Sequence, residues 1–222
     1  MSPTYPEIAE EVLTTRIVKL LSRRFTKELV HRYFNPLGNE PFSGNLFHTL
    51  GENNGDRFEC DDLLSLNLLD VPVTANQILR LTSGDFDCLL QNIDRNADIT
   101  ELDRGPYEHA MKLWVALDDV YGFGPTRVSK LMARKRPNLL PIRDAIVNEQ
   151  LQINGYSWWK SLAGTMRQKS VKDLLKDLAP TESDEAPTQL RVLDVAIWMH
   201  GSRSKPTREV RREFGVTEIN PN

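Results

Sequence analysis

The sequence has few cysteines and no long apolar run, and these absences exclude several classes of protein. Only Cys60 and Cys88 are present, far apart and without a CxxC spacing. We therefore expect no structural zinc, no iron–sulfur cluster and no disulfide framework. No apolar segment is long enough to span a bilayer, and the N-terminus has acids where a signal peptide needs a basic start. The sequence predicts a cytoplasmic protein that does not enter a membrane.

Motifs of common catalytic centres are also missing. There is no HxxxH or HExxH pairing, no GxSxG, and no GK[ST] after the glycine-bearing GENNG segment. We expect no metal site and no organic cofactor. A weak alternative is a magnesium nuclease built on Asp56, Glu59, Asp61 and Asp62, although no ExK follows them. Asp61 and Asp62 open an apolar segment, where charges at the start of a helix are the commoner role.

The apolar pattern predicts a mainly α fold, an orthogonal multi-helix domain of many short helices. Apolar residues in 7–25 recur at helical spacing, and QLRVLDVAIWMH at 189–200 is apolar on most sides, as expected for a buried helix. No segment has strong strand alternation. We predict one domain over 1–222, or two lobes with a tail: an acidic helical lobe 1–110, a second lobe 111–178, a linker-like loop 179–188, and a C-terminal helix with a basic tail 189–222.

Charge is distributed unevenly along the chain. Residues 1–119 hold 11 Lys and Arg against 20 Asp and Glu, whereas residues 120–222 hold 17 against 11. An acidic half joined to a basic half suggests a face that meets a polyanion. Two solvated faces of opposite sign are the alternative.

The stretch VYGFGPTRVSKLMARKRPNLLPIRD, residues 120–144, combines a glycine turn with an acid-free basic segment. Gly122 and Gly124 bracket a turn that needs backbone freedom, and Pro125 suits the first turn of the next helix. The pattern predicts helix, short turn, helix. Backbone N–H groups at such a turn can hold a phosphate oxygen, and the following Lys and Arg residues would add charge.

The residues GFGPTRV resemble the hairpin of the helix-hairpin-helix DNA-binding motif, typically written G-[VI]-G-x-x-x-A. Phe123 fills the middle position, and Val128 stands where that motif usually has Ala. Asp144 follows Gly124 by twenty residues in a PIRD context, which resembles the base-excision DNA glycosylases of this superfamily. The Gln-rich turn that those enzymes insert into DNA is missing. In overall pattern the chain also resembles an uncharacterised family of actinobacterial proteins with the same hairpin and RKRP segment.

The resemblance implies a protein that holds the phosphate backbone of double-stranded DNA. In its catalytic form it implies base excision with Asp144 as the catalytic carboxylate. Thr126 stands where bifunctional glycosylases have Lys, so the implied enzyme is a monofunctional hydrolase. Hairpin carbonyls of this motif often hold a monovalent cation, and the resemblance extends this to the present chain. The implied DNA-binding residues are Gly122, Phe123, Gly124, Thr126, Arg127, Lys130, Arg134, Lys135 and Arg136.

Other interpretations of the same residues are open. Asp144 is well placed to cap the helix that follows it, with or without a catalytic role. Trp158, Trp159, Tyr107 and Tyr121 are stacking platforms for a flipped base or, more commonly for aromatics at helical spacing, core residues. The whole protein is alternatively a non-enzymatic DNA-binding module, with hairpin and basic tail as two clamps, or an interaction protein whose hairpin only turns a corner.

Overall fold

The protein is helical throughout the part that the structure describes. The computed structural model describes residues 8–37, 42–153, 158–180 and 186–216. Twelve α-helices, two short 3-10 helices and no strand occur in these ranges, which confirms the predicted mainly α class. The α-helices are α1 (Glu10–Leu21), α2 (Thr26–Phe34), α3 (Cys60–Asn67), α4 (Ala75–Leu81), α5 (Asp87–Gln91), α6 (Pro106–Asp118), α7 (Gly124–Lys135), α8 (Ala145–Leu151), α9 (Trp158–Arg167), α10 (Lys169–Leu178), α11 (Gln189–Gly201) and α12 (Lys205–Glu213).

The chain forms two compact units. The first consists of Met1–Phe42 and Asp144–Asn222, and the second of Ser43–Arg143. These units have other boundaries than the predicted lobes 1–110 and 111–178, because the first unit combines two segments that are distant in the sequence. Half of the predicted linker-like loop, at 181–185, lies outside the described residues. Among the described helices, none is long and apolar enough to cross a bilayer.

Helix α11 is the centre of the first unit. Almost every side chain between Leu190 and Met199 is buried, as predicted for a helix that is apolar on most sides. It packs against α1, α2, α8 and α10. Trp158 and Trp159 are buried at the start of α9, so both belong to the core rather than to a stacking surface.

A buried ion pair interrupts this apolar centre. Arg191 and Asp194 lie one turn apart on α11, and the Arg191 guanidinium donates a hydrogen bond to the Asp194 carboxylate. Its second terminal nitrogen donates to the phenolic oxygen of Tyr33 on α2 at 2.7 Å. Because buried charges need their hydrogen bonds satisfied, this network joins α2 to α11 in one arrangement.

The second unit is built around α6 and α7. Helix α3 packs against α7, and α5 packs against α6. Helix α4 begins with a reciprocal cap, because Gln77 Oε1 accepts from the Thr74 N–H at 2.9 Å and the Thr74 hydroxyl accepts from the Gln77 N–H. This cap fixes Gln77, whose side-chain amide reaches the turn between α6 and α7.

Removal of one hydroxyl tests the network around Arg191. In Tyr33→Phe the buried guanidinium loses an acceptor, so we expect a loss of about 1.5–3 kcal/mol in the free energy of unfolding, as for hydrogen bonds to charged groups. Urea denaturation followed by circular dichroism measures it. Tyr121→Phe is the matched control, because its ring is 96% exposed and its hydroxyl removal should change little. Equal stability of the two variants would contradict the assigned bond.

Candidate functional site

The turn between α6 and α7, Val120 to Gly124, is shaped by its two glycines. Gly122 and Gly124 have φ of +70° and +64°, a region that side chains with a Cβ rarely adopt. Phe123 lies between them and is fully buried, and its N–H donates to the carbonyl of Val120 at 2.9 Å. The glycines therefore allow the sharp turn, and Phe123 holds it on the core of the second unit.

Side chains of the same unit occupy two carbonyl oxygens of this turn. The Gln77 amide donates to the Tyr121 carbonyl at 3.1 Å. The Arg127 guanidinium donates to the Gly122 carbonyl at 3.3 Å and, through Nε, to the Pro72 carbonyl at 3.2 Å. Each of these oxygens therefore already accepts one hydrogen bond from a side chain, and at Gly122 the donor is itself a cation, Arg127.

The outer side of the turn faces solvent. Gly122, Pro125 and Thr126 are exposed, and Arg127 is partly exposed. Tyr121 is almost completely exposed, which is unusual for an aromatic side chain in a well-packed region. Thr126 belongs to the first turn of α7, where backbone N–H groups have no intrahelical acceptor, and Arg127 follows it directly.

The remaining cations of the predicted site lie in the interior of the second unit. Lys130, Arg134, Lys135 and Arg136 are all buried, with Arg134 at 0% exposure. The Lys130 ammonium donates to the Leu69 carbonyl at 3.0 Å. In this position the four side chains bind protein groups, and they do not form the basic surface expected from the sequence.

Asp62 is the buried carboxylate that forms ion pairs with two of these cations, Arg134 and Lys135. Its Oδ1 accepts from Arg134 Nε at 2.8 Å, and its Oδ2 contacts the Lys135 ammonium and accepts from the Glu59 N–H at 2.8 Å. Asp62 is therefore both a charge at the start of α3 and the partner of two cations on α7. The sequence alone indicates a metal ligand or a charge at the start of a helix for Asp62, and nothing in it indicates the pairing with α7.

Backbone carbonyls accept further hydrogen bonds from the side chains of residues 134–136. Arg134 donates from its two terminal nitrogens to the carbonyls of Phe47 and Leu50. Lys135 donates to the Asn54 carbonyl at 2.6 Å. Arg136 lies among backbone acceptors, with bonds of 2.7–2.9 Å to the carbonyls of Leu90, Ile93, Gly55 and Lys135.

Burial disfavours the charged forms of Lys135 and Arg136 and so lowers their pKa values. It lowers the pKa of Lys135, an effect that Asp62 opposes. It lowers the pKa of Arg136 to about 10, which still leaves the guanidinium charged at neutral pH. These charged groups are accommodated because three segments of the second unit, 47–50, 53–55 and the end of α5 with the residues after it, 90–93, direct backbone carbonyls toward them.

The surface of the second unit is acidic once this interior cluster is set aside. The unit has 15 acidic and 11 basic residues. Without Asp62 and the four buried cations, 14 acidic and seven basic residues remain. A large polyanion would meet net repulsion over most of such a surface, so a phosphate contact here has to be small and local.

Asp144 belongs to the first unit, where it begins the segment Asp144–Asn222. The glycine turn belongs to the second unit. Its Oδ1 accepts from the Val147 N–H at 3.0 Å, and it is partly buried. The capping interpretation is confirmed by this bond. A catalytic role stays a prediction, since the geometry of the cap neither requires nor forbids it.

The other candidates of the sequence do not assemble into a centre. Within the described ranges, no group of three or more His, Cys, Asp or Glu side chains could hold a metal ion. Cys60 and Cys88 are free and exposed. Tyr107 is partly exposed on α6.

Residues 26–201 match the model of a protein family described as a family of unknown function, DUF6308. The match spans most of the chain, so the protein belongs to this family. No curated protein and no solved structure matches the chain.

Loss of the buried anion tests the interior cluster. In Asp62→Asn two buried cations lose their counter-charge, and we expect the free energy of unfolding to fall by about 3–5 kcal/mol. Thermal and urea denaturation measure it. The matched control is Asp56→Asn, which breaks the exposed ion pair with Arg95 in the same unit and should change stability little. Similar losses in both variants would contradict the assigned role of Asp62.

Proposed function

We propose that this protein contacts the phosphate backbone of double-stranded DNA through the glycine turn itself. The observation that supports it is an exposed turn with two glycines at positive φ, fixed from behind by Phe123, at the N-terminus of a twelve-residue helix. Glycine allows close approach of a ligand to the backbone, and a helix N-terminus favours negative charge.

Arg127 is the side chain best suited to such a contact. Two of its five N–H bonds are donated to the carbonyls of Gly122 and Pro72, which holds the guanidinium beside the turn. Among the described residues, its other N–H bonds have no protein acceptor and are available to a phosphate oxygen. Thr126 would add an exposed hydroxyl from the same turn of α7.

The buried cations limit the size of this contact. Lys130, Arg134, Lys135 and Arg136 are used inside the unit, so the proposed contact neutralises one or two phosphates. The logarithm of the binding constant should then fall with the logarithm of salt concentration with a slope of about −1 to −2. If every cation of 120–144 contributed, the slope would be about −5.

The burial of these four cations also favours a second function, that of an interaction protein. If the basic run serves only the interior, the turn is a structural corner, and the protein is an interaction protein of its family. The acidic surface of the second unit supports this alternative, because it would attract basic partners rather than nucleic acid.

Base excision is the catalytic form of the first proposal, with Asp144 as the carboxylate that stabilises a cationic sugar. Thr126 stands where bifunctional glycosylases have a catalytic Lys. The enzyme that we propose is therefore a monofunctional hydrolase. DNA binding agrees with the cytoplasmic location that the sequence predicts.

Fluorescence anisotropy with a short duplex over a salt series tests the phosphate contact. We expect Arg127→Gln to weaken binding roughly ten-fold or more, since one charge-assisted bond is lost. Gly124→Leu should abolish binding, because a side chain would block the backbone. Gly215→Leu is the matched control: Gly215 also has positive φ, +68°, and a Cβ there, as at Gly124, meets no atom within 4 Å. Binding that is absent at low salt in the wild type, or equally weak in both glycine variants, would favour the structural corner.

The catalytic proposal is tested by Asp144→Asn. Asn is also a good N-cap, so the variant should fold normally while the carboxylate charge is lost. If Asp144 is catalytic, release of damaged bases from duplex DNA should fall by at least about 100-fold, since one electrostatic stabiliser is removed. Base release that is unchanged in the variant would contradict the assigned role.

A further inference from the structure

His200 lies at the end of α11, buried, and joins it to the start of α2. Its Nε2 is 2.8 Å from the Thr26 hydroxyl oxygen. The Thr26 hydroxyl has a single hydrogen, which it donates to the Arg23 carbonyl at 2.8 Å. Because the Arg23 carbonyl accepts this hydrogen, we assign the ring as the donor, with the hydrogen of the neutral tautomer on Nε2.

The other ring nitrogen has no such bond. Nδ1 of His200 is buried, and among the described residues it has no hydrogen-bond partner. In the neutral ring this atom is only an unused acceptor. Protonation would convert it into a buried N–H without an acceptor, which is considerably more costly.

The charges that act on His200 are positive. They belong to Arg23, in the turn before α2, and to Arg211 on α12. Arg211 donates to the carbonyls of Met199 and Ser202 at 2.7 Å each, so it attaches α12 to the end of α11 next to the ring. A positive charge on the His200 ring would therefore be repelled by the Arg211 guanidinium, which these hydrogen bonds hold in place.

Carboxylates that could compensate such a charge are engaged elsewhere or exposed. On the helices that surround the end of α11, these groups form ion pairs or hydrogen bonds away from the ring: Glu10 with Gln168, Glu149 with Arg203, Asp173 with Lys169, Asp177 with Lys27, Asp194 with Arg191, Glu209 with Lys205, and Glu213 with Arg32. Glu11 and Glu28 are exposed, and Asp144 caps α8.

We propose that His200 is an acid-sensitive latch of the first unit. The neutral ring holds the end of α11 against Thr26, and a proton on Nδ1 opens this junction and releases α12, which Arg211 attaches to it. The latch does not depend on the proposed DNA contact, which lies in the second unit.

The direction of the pH effect follows from the same surroundings. Burial, and then Arg23 and Arg211, lower the pKa of His200 to about 4, against about 6.5 in an unfolded chain. A histidine with a lowered pKa stabilises the closed junction fully above pH 6.5. This contribution is lost as the pH falls from 6.5 through 4. Relative to neutral pH, the open population should rise toward a limit of about 300-fold, which is reached only below pH 4.

Hydrogen exchange of the full-length protein tests the latch. Backbone amides of 199–213 are followed at pH 7, 5.5 and 4.5 and corrected for intrinsic exchange. Relative to His200→Gln, which keeps an N–H donor for Thr26 but does not titrate, the wild type should open progressively more as pH falls. His109→Gln, a change at an exposed histidine on α6, should behave as the wild type does. An identical pH dependence in the wild type and His200→Gln would overturn the proposal.

A measurement on the wild type alone covers the case in which His200→Gln does not fold. In the folded protein the His200 ring should titrate near pH 4 by NMR. A His200 ring that titrates near 6.5 while α11 and α12 stay closed would also overturn the proposal.

Discussion

The second unit depends on the burial of Arg134 and Lys135 against the single carboxylate of Asp62. Two cations and one anion without access to water are stable only when their hydrogen bonds are satisfied. The backbone carbonyls of Phe47, Leu50 and Asn54 provide those bonds. The positions of these loops and of the C-terminal half of α7 are therefore determined together, and none can move without exposing a charge.

This constraint also decides what is left for function. With its C-terminal half in the interior, α7 offers a ligand only its first turn and the glycine turn before it. Phe123 and Arg127 hold that turn from behind, one by burial and the other by bonds to two carbonyls. The exposed part of this segment is therefore small and lies on an acidic unit, so the DNA contact that we propose would involve one or two phosphates and not a broad polyanion surface.

The parts of the structure that the sequence predicted depend on local rules. The buried α11, the glycine turn and the cap at Asp144 follow from periodicity, backbone freedom and capping within a few residues. The interior position of the basic run could not be predicted in this way. Asp62 is 72 residues away from Arg134, and the other partners are carbonyls, which leave no pattern in the sequence. An acid-free run of Lys and Arg is usually solvated, so the sequence alone favours a surface position for residues 134–136.

Quantitative acylation of lysines in the free and DNA-mixed protein tests the interior position of the basic run most directly. Lys112, exposed on α6 of the same unit, is the internal reference. Lys130 and Lys135 should react at least about ten-fold more slowly than Lys112 in the free native protein, and DNA should not change their rates, because folding already protects them. If both lysines reacted as fast as Lys112 in the free protein and became protected only by DNA, the basic run would be a phosphate-binding surface, and its interior position would be contradicted.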